Sequence, residues 1–141
     1  MSGEIEAVLR EVGALKEGHF LLSSGRHGDR YIEKFDLLAR PRATEQVSRA
    51  FAARFADAGV ETVAGPTTGG ILLAFEVARQ LGVRAAYAER ADGGAGRAFR
   101  RGATTFHPGE RVLVIDDILT TGGSVRETLA ALAAHPVEVV A

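Results

Sequence analysis

Residues Arg111 to Ser124, RVLVIDDILTTGGS, constrain the fold of this chain more than any other stretch. Four apolar residues in a row, Val112, Leu113, Val114 and Ile115, have the pattern of a strand covered on both faces. Two aspartates follow at once, then Thr120, Thr121, Gly122, Gly123 and Ser124, then apolar residues at helical spacing from Val125 to Ala134. Open α/β sheets bind ligands outside the carboxyl ends of their strands, where such a chain delivers its carboxylates. Amides freed by glycine, three hydroxyls and the positive end of a helix are the ingredients for holding a phosphate dianion. The stretch therefore predicts an α/β fold with a site for a sugar phosphate.

The same grammar recurs upstream. Thr62 to Ala64 reads as a short strand, Gly65-Pro66-Thr67-Thr68-Gly69-Gly70 as a loop, and Ile71 to Leu81 as a helix closed by Gly82. A helix is also expected from Pro41, suited to a first helical position, to Ala58, with Gly59 as its stop. Arg84 to Ala88, part of Ala98 to Phe106, Arg111 to Ile115 and Val137 to Val140 read as strands, and His107 to Glu110 as a turn. Between them ERADGGAGR holds no apolar residue but alanine and predicts a mobile excursion. Strands alternating with helices imply an open, mostly parallel twisted sheet flanked by helices. Near the N-terminus, Glu4 to Val12 predicts an amphipathic helix with Ser2 as cap and Gly13 as stop. The runs Phe20 to Leu22 and Tyr31 to Phe35, flanking SSGRHGD, predict a hairpin or an ordered loop. An apolar strand as the last feature predicts further structure beyond Ala141.

Bulk properties narrow the function. A formal net charge of −1 argues against non-specific binding to nucleic acid or to an acidic membrane surface. No cysteine occurs, so there is neither a disulfide framework nor a thiolate metal site, which fits a cytoplasmic protein. The acidic, amphipathic N-terminus resembles neither a signal peptide nor a membrane span. Of the 17 basic residues all but Lys16 and Lys34 are arginine, the residue whose fork pairs bidentately with phosphate, although codon bias or thermal adaptation explains the excess as well.

Asp116 and Asp117 are adjacent, so in an extended backbone one side chain meets a ligand while the other meets a second partner or a metal. The plainer alternative is that one caps the following loop. Ser124 is likewise explained either as part of a phosphate cradle or as an ordinary helix cap.

VLVIDDILTTGGS resembles the phosphoribosyl-diphosphate signature of the type I phosphoribosyltransferases. GHFLLSSGRHGDRYIEKFDLL is similar to the N-terminal hood segment of the orotate members of that family, GPTTGGILLAFEVARQLG to their diphosphate loop and its helix, and AYAER with the following glycines to their flexible catalytic loop. The resemblance implies a hood over residues 1–40 and an α/β core over 41–141 in one domain. It implies that Asp116 and Asp117 hold the ribose hydroxyls, directly or through Mg²⁺, and that Thr120, Thr121, Gly122, Gly123 and Ser124 cradle the 5-phosphate. Thr67, Thr68 and Gly69 would lie against the diphosphate, Arg90 would reach it from the mobile loop, and Tyr31 and Ile32 would form a shelf over a pyrimidine. The implied reaction joins phosphoribosyl diphosphate and orotate in a homodimer.

Orotate members have lysines where this chain has Ser23 and Gly69, further lysines and a histidine in the catalytic loop, and an arginine beyond the position of Ala141. Positive charge is then expected from Arg26, Arg90, Arg97, Arg100 or Arg101, although a solvated basic edge explains the last three as well; His27 reads as a surface residue or a binding candidate, and His19, His107 and His135 as structural or exposed. Transfer to another base, a non-catalytic binder of phosphoribosyl diphosphate, and an acidic-pair phosphoacceptor domain remain as alternatives.

Overall fold

Thr62–Pro66 (β3) is buried at every position and sits at the centre of a five-stranded sheet. The structure is a computed structural model and describes residues 3–100 and 105–141, so Ser2, the expected cap, and Arg101 lie outside the described residues. The chain divides into two units, the first ending at Val47 and the second beginning at Ser48.

In the first unit α1 (Gly3–Glu11) buries Leu9 and is followed by an antiparallel hairpin of β1 (Leu15–Leu21) and β2 (His27–Ile32). The hairpin is longer than expected. His27, Gly28 and Asp29 belong to β2, and the turn is confined to residues 22–26, closed by the Leu22 amide donating to the Arg26 carbonyl at 2.8 Å. The second expected run is divided, because Lys34–Leu38 forms a short helix, α2. Its cause is local: the Glu33 carboxylate accepts the Phe35 amide at 3.2 Å, which favours the first turn of a helix over extension of the strand.

Helix α3 (Pro41–Phe55) starts at its proline as expected but ends three residues short of Ala58. There the Ala58 amide bonds the Phe55 carbonyl three residues back at 3.1 Å, tightening the chain into a turn.

The second unit holds β3, α4 (Gly69–Leu81), β4 (Arg84–Arg90), β5 (Arg97–Ala98), β6 (Arg111–Val114), α5 (Gly123–Leu132) and β7 (Glu138–Val139). The sheet order is β5-β4-β3-β6-β7, with β5 antiparallel to β4 and every other pair parallel. This is the mostly parallel architecture expected from the alternation of strands and helices. Ala64, Ala86, Phe106, Val112 and Leu132 form a core cluster, against which Phe99, Val114 and Val137 pack. Phe99, Phe106 and His135 meet edge to face, so His135 is structural, as expected. The glycine-rich excursion after Arg90 forms a hairpin turn between β4 and β5, with the Ala91 amide donating to the Gly96 carbonyl at 3.2 Å.

Charges collect at the N-terminal ends of the parallel strands. Glu110, its side chain 2% exposed, pairs with Arg84 at 2.8 Å, and His107 lies 3.1 Å from Glu61 and 3.6 Å from Glu110. Glu61 also accepts the Arg111 amide at 3.0 Å, and that bond, ahead of its contact with His107, holds its carboxyl below the usual range. His107 is held above the ordinary histidine value, first by donating Nδ1–H to the Pro108 carbonyl and then by Glu61.

Candidate functional site

The opposite ends of β3 and β6 carry the candidate site. Since β3 pairs directly with β6, the loop after each strand emerges beside the other. Close backbone packing locks them together. A Cβ on Gly65 would stand 2.3 Å from the Gly70 carbonyl oxygen and 3.0 Å from that of Ile115, and a Cβ on Gly70 would stand 2.7 Å from Pro66 Cδ and 3.2 Å from Asp116 Oδ1. Glycine at both positions is thus a steric requirement of bringing the two loops together.

After Ile115 the chain leaves the sheet, and Asp116 turns inward. Its Oδ1 accepts the Asp117 amide at 2.8 Å and its Oδ2 accepts the Ser124 hydroxyl. Of the two roles open to the acidic pair, Asp116 therefore takes that of tying down the loop. Burial is the main reason its carboxyl titrates above the usual range; the Ser124 hydroxyl opposes this, and the neighbouring Asp117 side chain adds to it. Ser124 is not the cap of α5. Gly122, at φ 76°, occupies that position, since the left-handed turn into the helix suits a residue without Cβ, and Ser124 is left to bond Asp116. The amides of the first turn of α5 have no carbonyl four residues back and face the loop, and Thr120 and Thr121 stand exposed before them.

In the neighbouring loop the Thr67–Thr68 peptide is cis, and α4 begins at Gly69 with no side-chain cap from Thr68. Thr67 is fixed from a distance. Its amide donates to the Ala88 carbonyl at 3.0 Å, and its hydroxyl oxygen accepts Arg97 Nη1–H at 2.8 Å.

The expected cations divide. Arg97 is buried rather than available to solvent. Arg90, at the end of β4, is 61% exposed and lies 3.3 Å from Glu127 of α5. Arg100 pairs with Asp92 at 2.8 Å and donates to the Arg90 carbonyl, bracing the turn. Arg26, Tyr31 and Ile32 belong to the first unit: Arg26 closes the hairpin turn, Tyr31 packs on Phe20 at 5.6 Å between centroids, and Ile32 pairs with Leu15. His27 Nδ1 faces His19 Nε2 across that hairpin at 2.6 Å, so both imidazoles are engaged with each other. The second unit therefore brings together Asp116, Asp117, Thr120 to Ser124, Thr67 to Gly69 and Arg90. Sequence reasoning missed the Gly65–Gly70 contact and Glu127; the only signal for Glu127 was that it is the single acid of α5.

The phosphoribosyl transferase domain family matches residues 36–141. The chain is 49% identical over 129 residues to the orotate phosphoribosyltransferase of Pelotomaculum thermopropionicum, covering 92% of this chain and 66% of the relative. With that of Desulforamulus reducens it shares 42% over 137 residues, covering 97% and 70%. The chain thus spans about two thirds of the length of these curated relatives. The crystal structure of orotate phosphoribosyltransferase from Aeropyrum pernix superposes with a TM-score of 0.77 at 29% identity, over 96% of this chain and 76% of that one. With a parallel sheet, two interlocked loops at its carboxyl edge and these relatives, the chain belongs to the type I phosphoribosyltransferases, on their orotate phosphoribosyltransferase branch.

Proposed function

We propose that the protein transfers the phosphoribosyl group of 5-phosphoribosyl 1-diphosphate to orotate, giving orotidine 5'-phosphate and diphosphate in pyrimidine biosynthesis. One observation carries the donor half: two anion-type loops emerge from adjacent strands, with an acidic pair between them. Paired strands lie about 4.8 Å apart, so two such cradles side by side suit a small sugar phosphorylated at both ends. The first turn of α5 with Thr120 to Ser124 takes the 5-phosphate, and Thr67, Thr68 and Gly69 take the diphosphate. The acceptor half is supported by the orotate branch of the family, with Tyr31 and Ile32 assigned to the base and Arg26 kept as a candidate cation.

The chemistry asks for no enzyme nucleophile. A ring nitrogen of the base displaces diphosphate at C1, so the protein positions both reactants and stabilises charge on the leaving group. Asp117 orients the ribose hydroxyls while Asp116 holds the loop. Arg90 supplies positive charge to the diphosphate on leaving Glu127. Mg²⁺ fits these residues as an ion carried in by the donor. Among the described residues no three His, Cys, Asp or Glu side chains gather around a metal, and Asp116 already accepts two hydrogen bonds, which suits an ion held by one carboxylate and substrate oxygens. When bound, the ion supplies charge neutralisation at the diphosphate. The active form is proposed to be a cytoplasmic homodimer; no helix among the described residues is long and apolar enough to cross a membrane.

The test is turnover of orotate with phosphoribosyl diphosphate by the full-length protein, with and without Mg²⁺. Metal-dependent formation of orotidine 5'-phosphate is expected. Donor binding with turnover of a purine or of uracil alone would reassign the acceptor, and donor binding without any product would favour a regulator.

A further inference from the structure

The side chain of Arg97 is 4% exposed although it stands on a two-residue edge strand, where an arginine would ordinarily extend into water. Instead it reaches across β4. Nη1 donates to Thr67 Oγ1 at 2.8 Å and to the Ala88 carbonyl at 3.1 Å, and that same carbonyl accepts the Thr67 amide at 3.0 Å. Nε lies 3.2 Å from Glu127 Oε2, a contact of charge rather than an aligned hydrogen bond. A buried guanidinium is costly unless such partners compensate it. Its fork can hold a hydroxyl and a carbonyl in one plane, which the point charge of lysine does not reproduce.

We propose that Arg97 is a positioning residue for the diphosphate end of the donor, acting through Thr67, with Glu127 holding Arg97 in place. This rests on the phosphoribosyl reading above. Because Thr67 Oγ1 accepts from Arg97, its own O–H is left to donate to a diphosphate oxygen. The Ala88 carbonyl, accepting from both the Thr67 amide and Arg97, fixes the first residue of the β3–α4 turn. Glu127 serves two arginines unequally: Arg90 is exposed and can leave it for an incoming anion, whereas Arg97 is enclosed and stays.

The experiment uses the full-length protein and titrates two probes separately by calorimetry, inorganic diphosphate with Mg²⁺ and ribose 5-phosphate. Arg97→Gln is expected to weaken diphosphate about ten-fold, the scale of one charge-assisted hydrogen bond, and to change ribose 5-phosphate by less than about two-fold. Arg97→Lys should recover little. Thr67→Val should weaken diphosphate at least as much, with the double variant no weaker than Thr67→Val alone, because both changes remove one device. Equal losses for the two probes, strictly additive losses in the double variant, or no loss for diphosphate would overturn the inference. Should Arg97→Gln fail to fold, Arg97→Lys and Thr67→Val carry the same comparison. A wild-type protein that binds neither probe would sink the phosphoribosyl reading itself, whereas wild-type binding with an indifferent Arg97→Gln would sink only the role of Arg97.

Discussion

The loops after β3 and β6 share one sequence grammar, strand, Thr/Gly turn, helix, yet they are held by opposite means. The loop after β6 is secured by its own residues: Asp116 grips the next amide and a hydroxyl eight positions on. The loop after β3 owes its shape to an arginine thirty positions away and to a carbonyl of the neighbouring strand. Locally tied loops survive changes elsewhere in the molecule. A remotely tied loop is sensitive to whatever moves its anchor, which places the diphosphate end of the proposed site under the control of β5 and α5.

The largest expected effect comes from removing charge at the locally tied loop. Asp116→Asn combined with Asp117→Asn should lower kcat/KM for the donor about a thousand-fold while the urea midpoint of unfolding stays near wild type. Turnover within ten-fold of wild type would mean that the ribose is held elsewhere. Gly65→Ala attacks both loops at once, because the added Cβ meets the Gly70 carbonyl at 2.3 Å and that of Ile115 at 3.0 Å. A loss of about 3 kcal/mol is expected in denaturant titration, since backbone on both sides has to move.

Ser124→Ala is the counterpart of Arg97→Gln. It should weaken ribose 5-phosphate about five-fold, roughly 1 kcal/mol, and leave diphosphate unchanged. A reversed pattern would exchange the two cradles. Smallest is the effect of His107→Gln, which serves as a control on both loops. His107 titrates above its ordinary 6.5, so its contribution to stability is full below that pH and is lost as pH rises through its folded-state value. Thermal scans from pH 6 to 8 should therefore show a downward slope in wild type that is shallower in the variant, with both ligand affinities unchanged.

The local loop was largely legible in the sequence, since an acidic pair, a glycine and a serine within nine residues interact at short range. The parallel sheet was legible too, through the apolar runs of β3 and β6. Arg97 was not. Its place among the candidate cations was visible, but burial depends on β5 folding back beside β4, and no local pattern encodes which arginine crosses a strand. The capping of α2 by Glu33 was missed for a different reason, because an alternating, aromatic-bearing run favours strand until a single carboxylate turns it into helix. Gly65 and Gly70 read as turn formers, whereas the structure uses them for close approach.

Parallel pairing gives the sheet two unlike rims. β3, β4 and β6 enter past the ionic group of Glu61, Arg84, His107, Glu110 and Arg111 and leave at the ligand rim. The four residues of β6 separate these rims by about 13 Å, so no side chain of the ionic group is within hydrogen-bonding reach of the loops at the other end. Charges at the entry rim can therefore be exchanged without altering any contact that shapes the two loops at the other.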